Sequence, residues 1–142
     1  MRPERAENCM WQQTLITLRA RPRGFHLVTD ELLAGLPELK ACRVGLLHLW
    51  LQHTSASLTI NENADPDVPR DMLHALRTLI PQHGMGFRHG EENSDAHIKA
   101  SLTGSSVTIP FKDGKLLLGR WQGVFLCEFD GGRERQVIMT MR

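Results

Sequence analysis

The chain has 142 residues, of which 41% are apolar and 23% charged, and its formal net charge is +1. This balance is typical of a globular protein of one domain, and it excludes a disordered chain, a collagen-like repeat and a coiled coil. Near-neutrality argues against nucleic-acid binding, which requires a basic surface.

The cysteines and the N-terminus predict a cytoplasmic protein. Cys9, Cys42 and Cys127 are too widely scattered for a disulfide framework or a zinc knuckle, so we expect reduced thiols. No apolar signal segment follows the N-terminal charges, and His48 interrupts the longest apolar run, over 46–51. We therefore predict no secretion, no membrane span and no membrane partner.

The first elements along the chain are a strand and a short helix. Residues 1–9 are polar without an apolar period, so we expect a flexible N-terminal extension followed by a single domain over 10–142. Alternating Thr, Ile and Leu over 12–19 predict a strand. Thr29 is predicted to cap a helix that Pro37 keeps short.

Two strands and an amphipathic helix are predicted next. Residues 42–51 are rich in Val, Leu and Trp and predict a buried strand, and 57–61 predict a second one. Asp65 followed by proline is a strong helix start, and apolar residues at helical spacing continue from there until Pro81.

The C-terminal half begins with a long Gly-rich loop over 81–93, and such loops are often functional. Ser94 or Asp95 then caps a short helix that Gly104 ends. Strands over 107–111 and 115–118 flank one Asp-Gly turn, and strands over 123–129 and 136–141 flank another, which predicts an antiparallel C-terminal meander.

Three of the seven histidines lie at the edges of predicted elements among polar groups. His53 precedes the hydroxyls of Thr54 and Ser55, His89 follows the glycines of the loop, and His97 lies one turn inside a helix. Neutral imidazoles near carboxylates suit a divalent metal or acid–base chemistry. The spacing matches no compact zinc motif, so the alternative is that these are ordinary polar residues of loops.

Other polar side chains lie at positions that suit a catalytic or binding role. Asn61 emerges at a strand end, and Asp71 lies on the first turns of a helix, facing either solvent or a site. Glu128 lies in an apolar strand and must be paired, protonated or exposed. Arg133 and Arg135 share a strand face if the strand has already begun, which suits phosphate; the alternative is a solvated hairpin end.

Several stretches together resemble one known family, the YjbQ-like proteins, called secondary thiamine-phosphate synthases, over nearly the whole of 10–141. They occur in this order: Arg23-Gly24-Phe25-His26, residues 45–48 and 53–63, residues 97–101 with Gly104, then Gly119-Arg120-Trp121-Gln122-Gly123 and Glu128.

The resemblance implies an α+β fold, mainly an antiparallel β-sandwich with a few peripheral helices, assembled as a homotrimer. The implied activity joins a hydroxymethylpyrimidine pyrophosphate to a thiazole phosphate with loss of pyrophosphate, at a low rate. A trimer that binds a phosphorylated metabolite or a metal without turnover, and a metal-dependent hydrolase, remain alternatives.

The resemblance also implies roles for individual residues. Arg120 stands where the family has threonine, and an added positive charge there could alter the choice of substrate. By position, the polar residues of the family's pocket match His53, Asn61, Asp71, His89, His97, Glu128, Arg133 and Arg135. We therefore expect His53, Asn61, Asp71 and Glu128 to be catalytic, and Thr54, Ser55, Arg133 and Arg135 to bind substrate. The positions of His53, His89 and His97 at element ends predict that they hold a divalent metal, zinc or magnesium.

Overall fold

The computed structural model describes residues 10–142, and the predicted extension over 1–9 lies outside them. Two antiparallel sheets and three α-helices make up this part of the chain, which confirms the predicted α+β class. The strands are β1 Gln12–Leu18, β2 Gly24–Leu27, β3 Val44–Leu51, β4 Ala56–Glu62, β5 Ser106–Lys112, β6 Lys115–Leu116, β7 Gln122–Glu128 and β8 Arg135–Met141. The helices are α1 Thr29–Ala34, α2 Asp67–Leu79 and α3 Ser94–Thr103, and a 3₁₀ helix spans Pro37–Ala41.

The two sheets face each other across one apolar core. Their strand orders are β1-β8-β3-β5-β6 and β2-β7-β4, and every described strand pair is antiparallel. Side chains alternate along each strand, so one set points inward: Leu47, Leu49 and Leu51 of β3 join Leu58 of β4 and Leu126 of β7 in the buried cluster.

The helices begin and end near the residues that the sequence indicates. The carboxylate of Asp65 accepts a hydrogen bond from the backbone N–H of Asp67 at 2.9 Å, which starts α2, and Pro81 follows its end. Gly104 ends α3 with a φ of 96°, a conformation that favours glycine. Thr29 begins α1, but its hydroxyl accepts a hydrogen bond from the backbone N–H of Val124 instead of capping the helix.

The meander prediction is wrong for the last two strands. β5 and β6 do form a hairpin, but β7 and β8 lie in different sheets. Gly131 and Gly132, with φ of 100° and 72°, turn the chain from one sheet into the other. β8 then runs between β1 and β3, so the last residue of β7 and the first residue of β8 face each other from the two sheets.

The cysteines differ from one another. Cys127 is a free thiol, and its burial raises the pKa of this thiol to about 12. Cys42 is disulfide-bonded, so the expectation of three reduced cysteines is wrong for this residue. Within 10–142, no helix has the length and apolarity needed to cross a membrane.

Candidate functional site

One end of the sandwich brings together most of the side chains that the sequence singles out. The β3–β4 connection, the β7–β8 turn, the first turns of α3 and the end of the Gly-rich loop meet there through the contacts given below. The residues are His53, Thr54, Ser55, His89, His97, Glu128, Arg133 and Arg135. Asn61 and Asp71 lie elsewhere.

A buried ion pair joins the two sheets at this end. Glu128 is the last residue of β7 and Arg135 the first of β8, and they are 0% and 1% exposed. Nε of Arg135 donates to Oε1 of Glu128 at 2.7 Å, and Nη2 donates to Oε2 at 2.5 Å. This two-pronged geometry is the strongest that arginine makes with a carboxylate. Of the three options for Glu128, the structure shows the paired one.

Further hydrogen bonds tie the pair to the surrounding protein. Oε2 of Glu128 also accepts from the backbone N–H groups of Asp130 and Gly131 at 3.2 and 2.9 Å, and Nη2 of Arg135 donates to Oγ of Ser55 at 3.0 Å. The pair therefore fixes the turn and the β3–β4 connection in place. Because both partners are buried and bonded, we assign them a positioning role.

His53 lies beside this pair and has a defined tautomer. Its Nε2 is 2.8 Å from the backbone N–H of Gln136 and accepts its hydrogen bond, so the neutral ring carries its proton on Nδ1. Burial, and then the positive charge of Arg135, lower the pKa of His53, while Glu128 opposes this shift. His53 is therefore a neutral imidazole near pH 7.

The lowered pKa of His53 predicts a pH dependence of stability. In the unfolded chain this imidazole titrates near 6.5, so as the pH falls below that value the unfolded chain takes up the proton first. The free energy of unfolding contributed by His53 is present above pH 6.5 and decreases as the pH falls through its lower folded pKa.

We expect His53→Gln to reduce this pH dependence, because an amide does not titrate. The measurement is urea unfolding of both proteins at about pH 7.5 and about pH 5.5, a range that spans the unfolded pKa of histidine. The exposed His74 on α2 provides the control variant His74→Gln. An equal loss of stability in the wild type and in His53→Gln would contradict this assignment.

His97 and His89 form the open part of the site. Nδ1 of His97 donates to the backbone carbonyl of Thr54 at 3.0 Å, which leaves Nε2 available as an acceptor in the neutral ring. The ring of His89 packs edge-on against that of His97 with 5.7 Å between centroids, and its Nε2 is 3.8 Å from a carboxylate oxygen of Glu91. The structure thus places both predicted histidines side by side.

A cavity lies within the Gly-rich loop beside this histidine pair. It has a volume of about 240 Å³, is lined by both polar and apolar side chains, and includes His89 in its wall. The other lining residues are Gln82, His83, Gly84, Gly86, Phe87 and Glu92. The imidazole of His89 is therefore accessible from this cavity.

The two arginines do not share a surface. β8 begins at Arg135, so Arg133 precedes the strand and lies in the turn. Nη2 of Arg133 contacts Oδ2 of Asp130 at 2.7 Å, and its side chain is 50% exposed. Of the two arginines, Arg133 is therefore the one whose guanidinium a ligand can reach.

Asn61 and Asp71 lie away from this cluster. Asn61 is near the other end of β4, about 16 Å along the strand from Ala56 at roughly 3.3 Å per residue. Asp71 lies exposed on α2. Within one chain, neither residue joins the histidines.

The three histidines were also predicted to hold a metal ion. Among residues 10–142, no three histidine, cysteine or acidic side chains are arranged to bind one. The reason lies in the hydrogen bonds: Nε2 of His53 is occupied by a backbone N–H, and only His89 and His97 are in contact. The chain as folded supplies two imidazoles, so it does not fit a three-histidine metal centre.

Sequence analysis missed an ion network behind the histidines. Asp95, which is 0% exposed, accepts from Nζ of Lys99 at 2.8 Å and from Nη1 of Arg23 at 2.9 Å. Asp130 links this network to the turn, because its Oδ2 accepts from Nδ2 of Asn93 at 2.9 Å. The spacing of four between Asp95 and Lys99 on a helix is the signal that could have revealed the first pair.

Comparisons with known proteins agree with this architecture. The family model described as UPF0047 protein YjbQ-like matches residues 14–142. UPF0047 protein YjbQ of Escherichia coli O157:H7 is 45% identical over 137 residues, which are 94% of this chain and 99% of the relative. A UPF0047 protein of Methanocaldococcus jannaschii is 50% identical over 109 residues, covering 77% of this chain and 78% of the relative.

Solved structures show the same fold. A YjbQ/UPF0047 protein of Clostridium acetobutylicum superposes with a TM-score of 0.81 at 42% identity, covering 89% of this chain and 98% of that one. A protein of unknown function from Sulfolobus solfataricus shares the fold, with a TM-score of 0.82 at 22% identity over 93% of this chain and 96% of that one. The chain described here belongs to the UPF0047 YjbQ-like family, whose function is not established.

Proposed function

We propose that the histidine end of the sandwich binds a phosphorylated metabolite and transfers an alkyl group with loss of pyrophosphate, the reaction of a thiamine-phosphate synthase. The observation that carries this proposal is the contact between His89 and His97 beside the loop cavity. Imidazole N–H groups and the exposed guanidinium of Arg133 are suitable partners for phosphate oxygens.

The proposed reaction depends on how the leaving group is stabilised. The C–O bond between the pyrimidine methylene and pyrophosphate breaks, the carbon becomes cationic, and the thiazole nitrogen attacks it to form a C–N bond. Pyrophosphate leaves with the electron pair of the broken bond. Groups already oriented toward the developing negative charge lower this barrier most; Arg133 and His89 would supply them, and His97 would hold the ring of His89 in place.

The buried groups would keep these ligand-binding groups in position. The hydrogen bond from His97 to the carbonyl of Thr54 fixes the orientation of one imidazole. Glu128 binds the backbone of the turn that carries Arg133, so it would act on the ligand through that turn. This differs from a direct catalytic role for Glu128.

Binding is tested by calorimetric titration with pyrophosphate. We expect His89→Ala and His97→Ala each to weaken binding at least about tenfold, or roughly 1.4 kcal/mol, because the first removes an N–H donor and the second removes the ring against which His89 packs. His74→Ala, an exposed histidine on α2, is the control and should bind like the wild type. Unchanged affinity in both site variants would overturn the proposed site.

Turnover is tested separately, by measuring thiamine phosphate formed from the two phosphorylated precursors. Product formation that is lost in His97→Ala supports the synthase. Pyrophosphate binding without product supports the alternative of a metabolite-binding protein. The two assays therefore separate the site from the reaction assigned to it.

A divalent metal is the second candidate ligand. The observation that favours it is the contact between His89 and His97, which would supply two imidazole ligands while water completes the coordination, since no third histidine, cysteine or acidic ligand is arranged there among residues 10–142. Imidazole and carboxylate are common zinc ligands. Titration of the same variants with zinc decides this point: binding that disappears in His89→Ala and His97→Ala supports a metal site, and absent or unaffected binding excludes it there.

We also propose that the protein assembles as a homotrimer through the outer face of the five-stranded sheet. Leu15, Leu46 and Trp50 on this face are 51%, 55% and 47% exposed. They lie near one another, because both Leu15 of β1 and Trp50 of β3 pair with Ile138 of β8. The central outward residues of these strands carry no carboxylate, lysine or arginine, and the ring of His48 on the same face stacks on Trp50. Uncharged apolar surfaces of this kind are typical of permanent interfaces.

Light scattering tests this assembly. We expect the wild type to have about three times the chain mass of 16.1 kDa, and Trp50→Asp to dissociate because a charge would be buried in the interface. Leu79→Asp changes a residue of α2 that is 72% exposed and is the control. A monomeric wild type, or a trimeric Trp50→Asp, would contradict this interface.

A further inference from the structure

The cavity in the Gly-rich loop has a lining that suits a small cation. Its volume of about 240 Å³ is room for several water molecules. Among residues 10–142, Glu92 contributes the only carboxylate of the wall, and no lysine or arginine lines it, although Arg88 is close by in the chain. The wall is therefore negative whenever its two imidazoles, those of His83 and His89, are neutral.

The unused polar groups of this wall are mainly hydrogen-bond acceptors. Nε2 of Gln82 donates to the backbone carbonyl of Glu92 at 3.0 Å, which leaves Oε1 of the same amide as an acceptor. Within the described part of the chain, neither the carboxylate of Glu92 nor the ring of His83 makes a hydrogen bond or ion pair. A neutral imidazole also offers one ring nitrogen as an acceptor. A ligand that donates several hydrogen bonds therefore matches this wall.

Contacts across the loop hold the cavity in shape. The hydrogen bond from Gln82 to Glu92 joins residues ten apart in the chain, and the backbone N–H of Glu92 donates to the carbonyl of His89 at 3.1 Å. The ring of His89 packs in turn against His97 of α3. A ligand would meet acceptors that are already in place, which reduces the entropy lost on binding.

We propose that this cavity binds a small primary ammonium ion. Its three N–H groups would donate to the carboxylate of Glu92, to Oε1 of Gln82 and to a ring nitrogen of His83. Its carbon chain would lie against Phe87, another residue of the wall, whose ring face also attracts a cation. Glu92, Gln82 and Phe87 have no part in the phosphate binding proposed above, so this inference holds whether or not the alkyl transfer takes place.

Glycine amide resonances of ¹⁵N-labelled protein provide the test. The probe is n-propylammonium chloride, n-propanol is its uncharged counterpart of similar size, and sodium chloride at equal concentration controls for ionic strength. We expect the probe to shift the signals of Gly84 and Gly86, both in the cavity wall, saturably at roughly millimolar concentration. The signals of Gly104, after α3, and of Gly114, between β5 and β6, should stay in place and report that the protein is folded.

The variants decide whether the cavity recognises the charge. Glu92→Gln should weaken n-propylammonium at least about fivefold, because the amide keeps the shape of the side chain and loses its charge. Phe87→Leu should weaken it about threefold, because the ring face is lost. The matched control is Glu91→Gln, which removes the same charge from a neighbouring residue outside the wall and should bind like the wild type.

Three results would overturn the proposal. The first is a set of Gly84 and Gly86 signals that does not respond to n-propylammonium, or that responds equally to n-propanol. The second is equal affinity in the wild type and in Glu92→Gln. The third is an equal loss of affinity in Glu91→Gln and Glu92→Gln, which would show an effect of overall charge and not of this cavity.

Discussion

Glu128→Ala should lower the free energy of unfolding by about 3–5 kcal/mol, because it leaves the guanidinium of Arg135 buried without its counter-ion. Arg135 is 1% exposed, so water cannot replace the lost carboxylate. The variant also removes the acceptor of the backbone N–H groups of Asp130 and Gly131. A loss of this size is a large part of the stability of a domain, typically 5–15 kcal/mol.

Urea unfolding at a fixed protein concentration measures this effect, since the proposed trimer would make stability depend on concentration. Arg133→Ala is the matched control in the same turn: its ion pair with Asp130 is half exposed and should contribute no more than about 1 kcal/mol. Replacing the whole buried pair, as Glu128→Leu with Arg135→Met, should recover much of the loss. A Glu128→Ala variant within about 1 kcal/mol of the wild type would show that the pair does not stabilise the fold.

The sequence limited Glu128 to being paired, protonated or exposed, but it could not show that the residue is paired or identify its partner. A carboxylate in an apolar strand has few options, and pairing was one of them. Arg135 looked instead like one of two phosphate ligands, because its spacing from Arg133 suits a shared strand face. Which residue begins β8, and which face points inward, depends on contacts with β1 and β3 that are distant in the chain.

The β7–β8 connection shows a similar limit. A turn of Asp130, Gly131 and Gly132 between two apolar runs is the pattern of a hairpin, and both glycines do adopt positive φ. The same conformations also suit a corner between sheets. The pairing of β8 with β1 and β3 decides between a hairpin and a corner, and this long-range pairing cannot be predicted from the local sequence.

That the three histidines form one functional site remains a prediction, although the sequence indicated part of their arrangement. Ends of neighbouring elements often meet, and His89 does contact His97. Their protonation states and hydrogen-bond partners could not be predicted from the sequence. The hydrogen bond between His97 and Thr54 joins residues 43 apart in the chain, and that between His53 and Gln136 joins residues 83 apart. The resemblance grouped Asn61 with these histidines, and a single chain separates them by the length of β4.

Asp95→Ala should also destabilise the fold by about 3–5 kcal/mol, because Lys99, which is 3% exposed, would lose its buried counter-ion. Arg23 would lose the same partner, so the start of β2 would no longer be tied to α3. Since α3 carries His97, we expect pyrophosphate binding to weaken as well. Asp71→Ala is the control, because Asp71 is an exposed carboxylate on α2, away from the histidines.

Asp95→Asn removes the negative charge of this side chain and keeps its shape. Burial alone would raise the pKa of Asp95, but hydrogen bonds from Lys99 and Arg23 outweigh it and hold this pKa below its ordinary value of 3.8. The stability that the charge contributes is therefore present above about pH 4 and decreases as the pH falls through the lower folded pKa. Asp95→Asn should be less stable than the wild type at pH 7, and the difference should shrink in acid. Urea unfolding at about pH 7 and about pH 3 measures it, and a difference that stays constant would show that the charge of Asp95 contributes nothing to the fold.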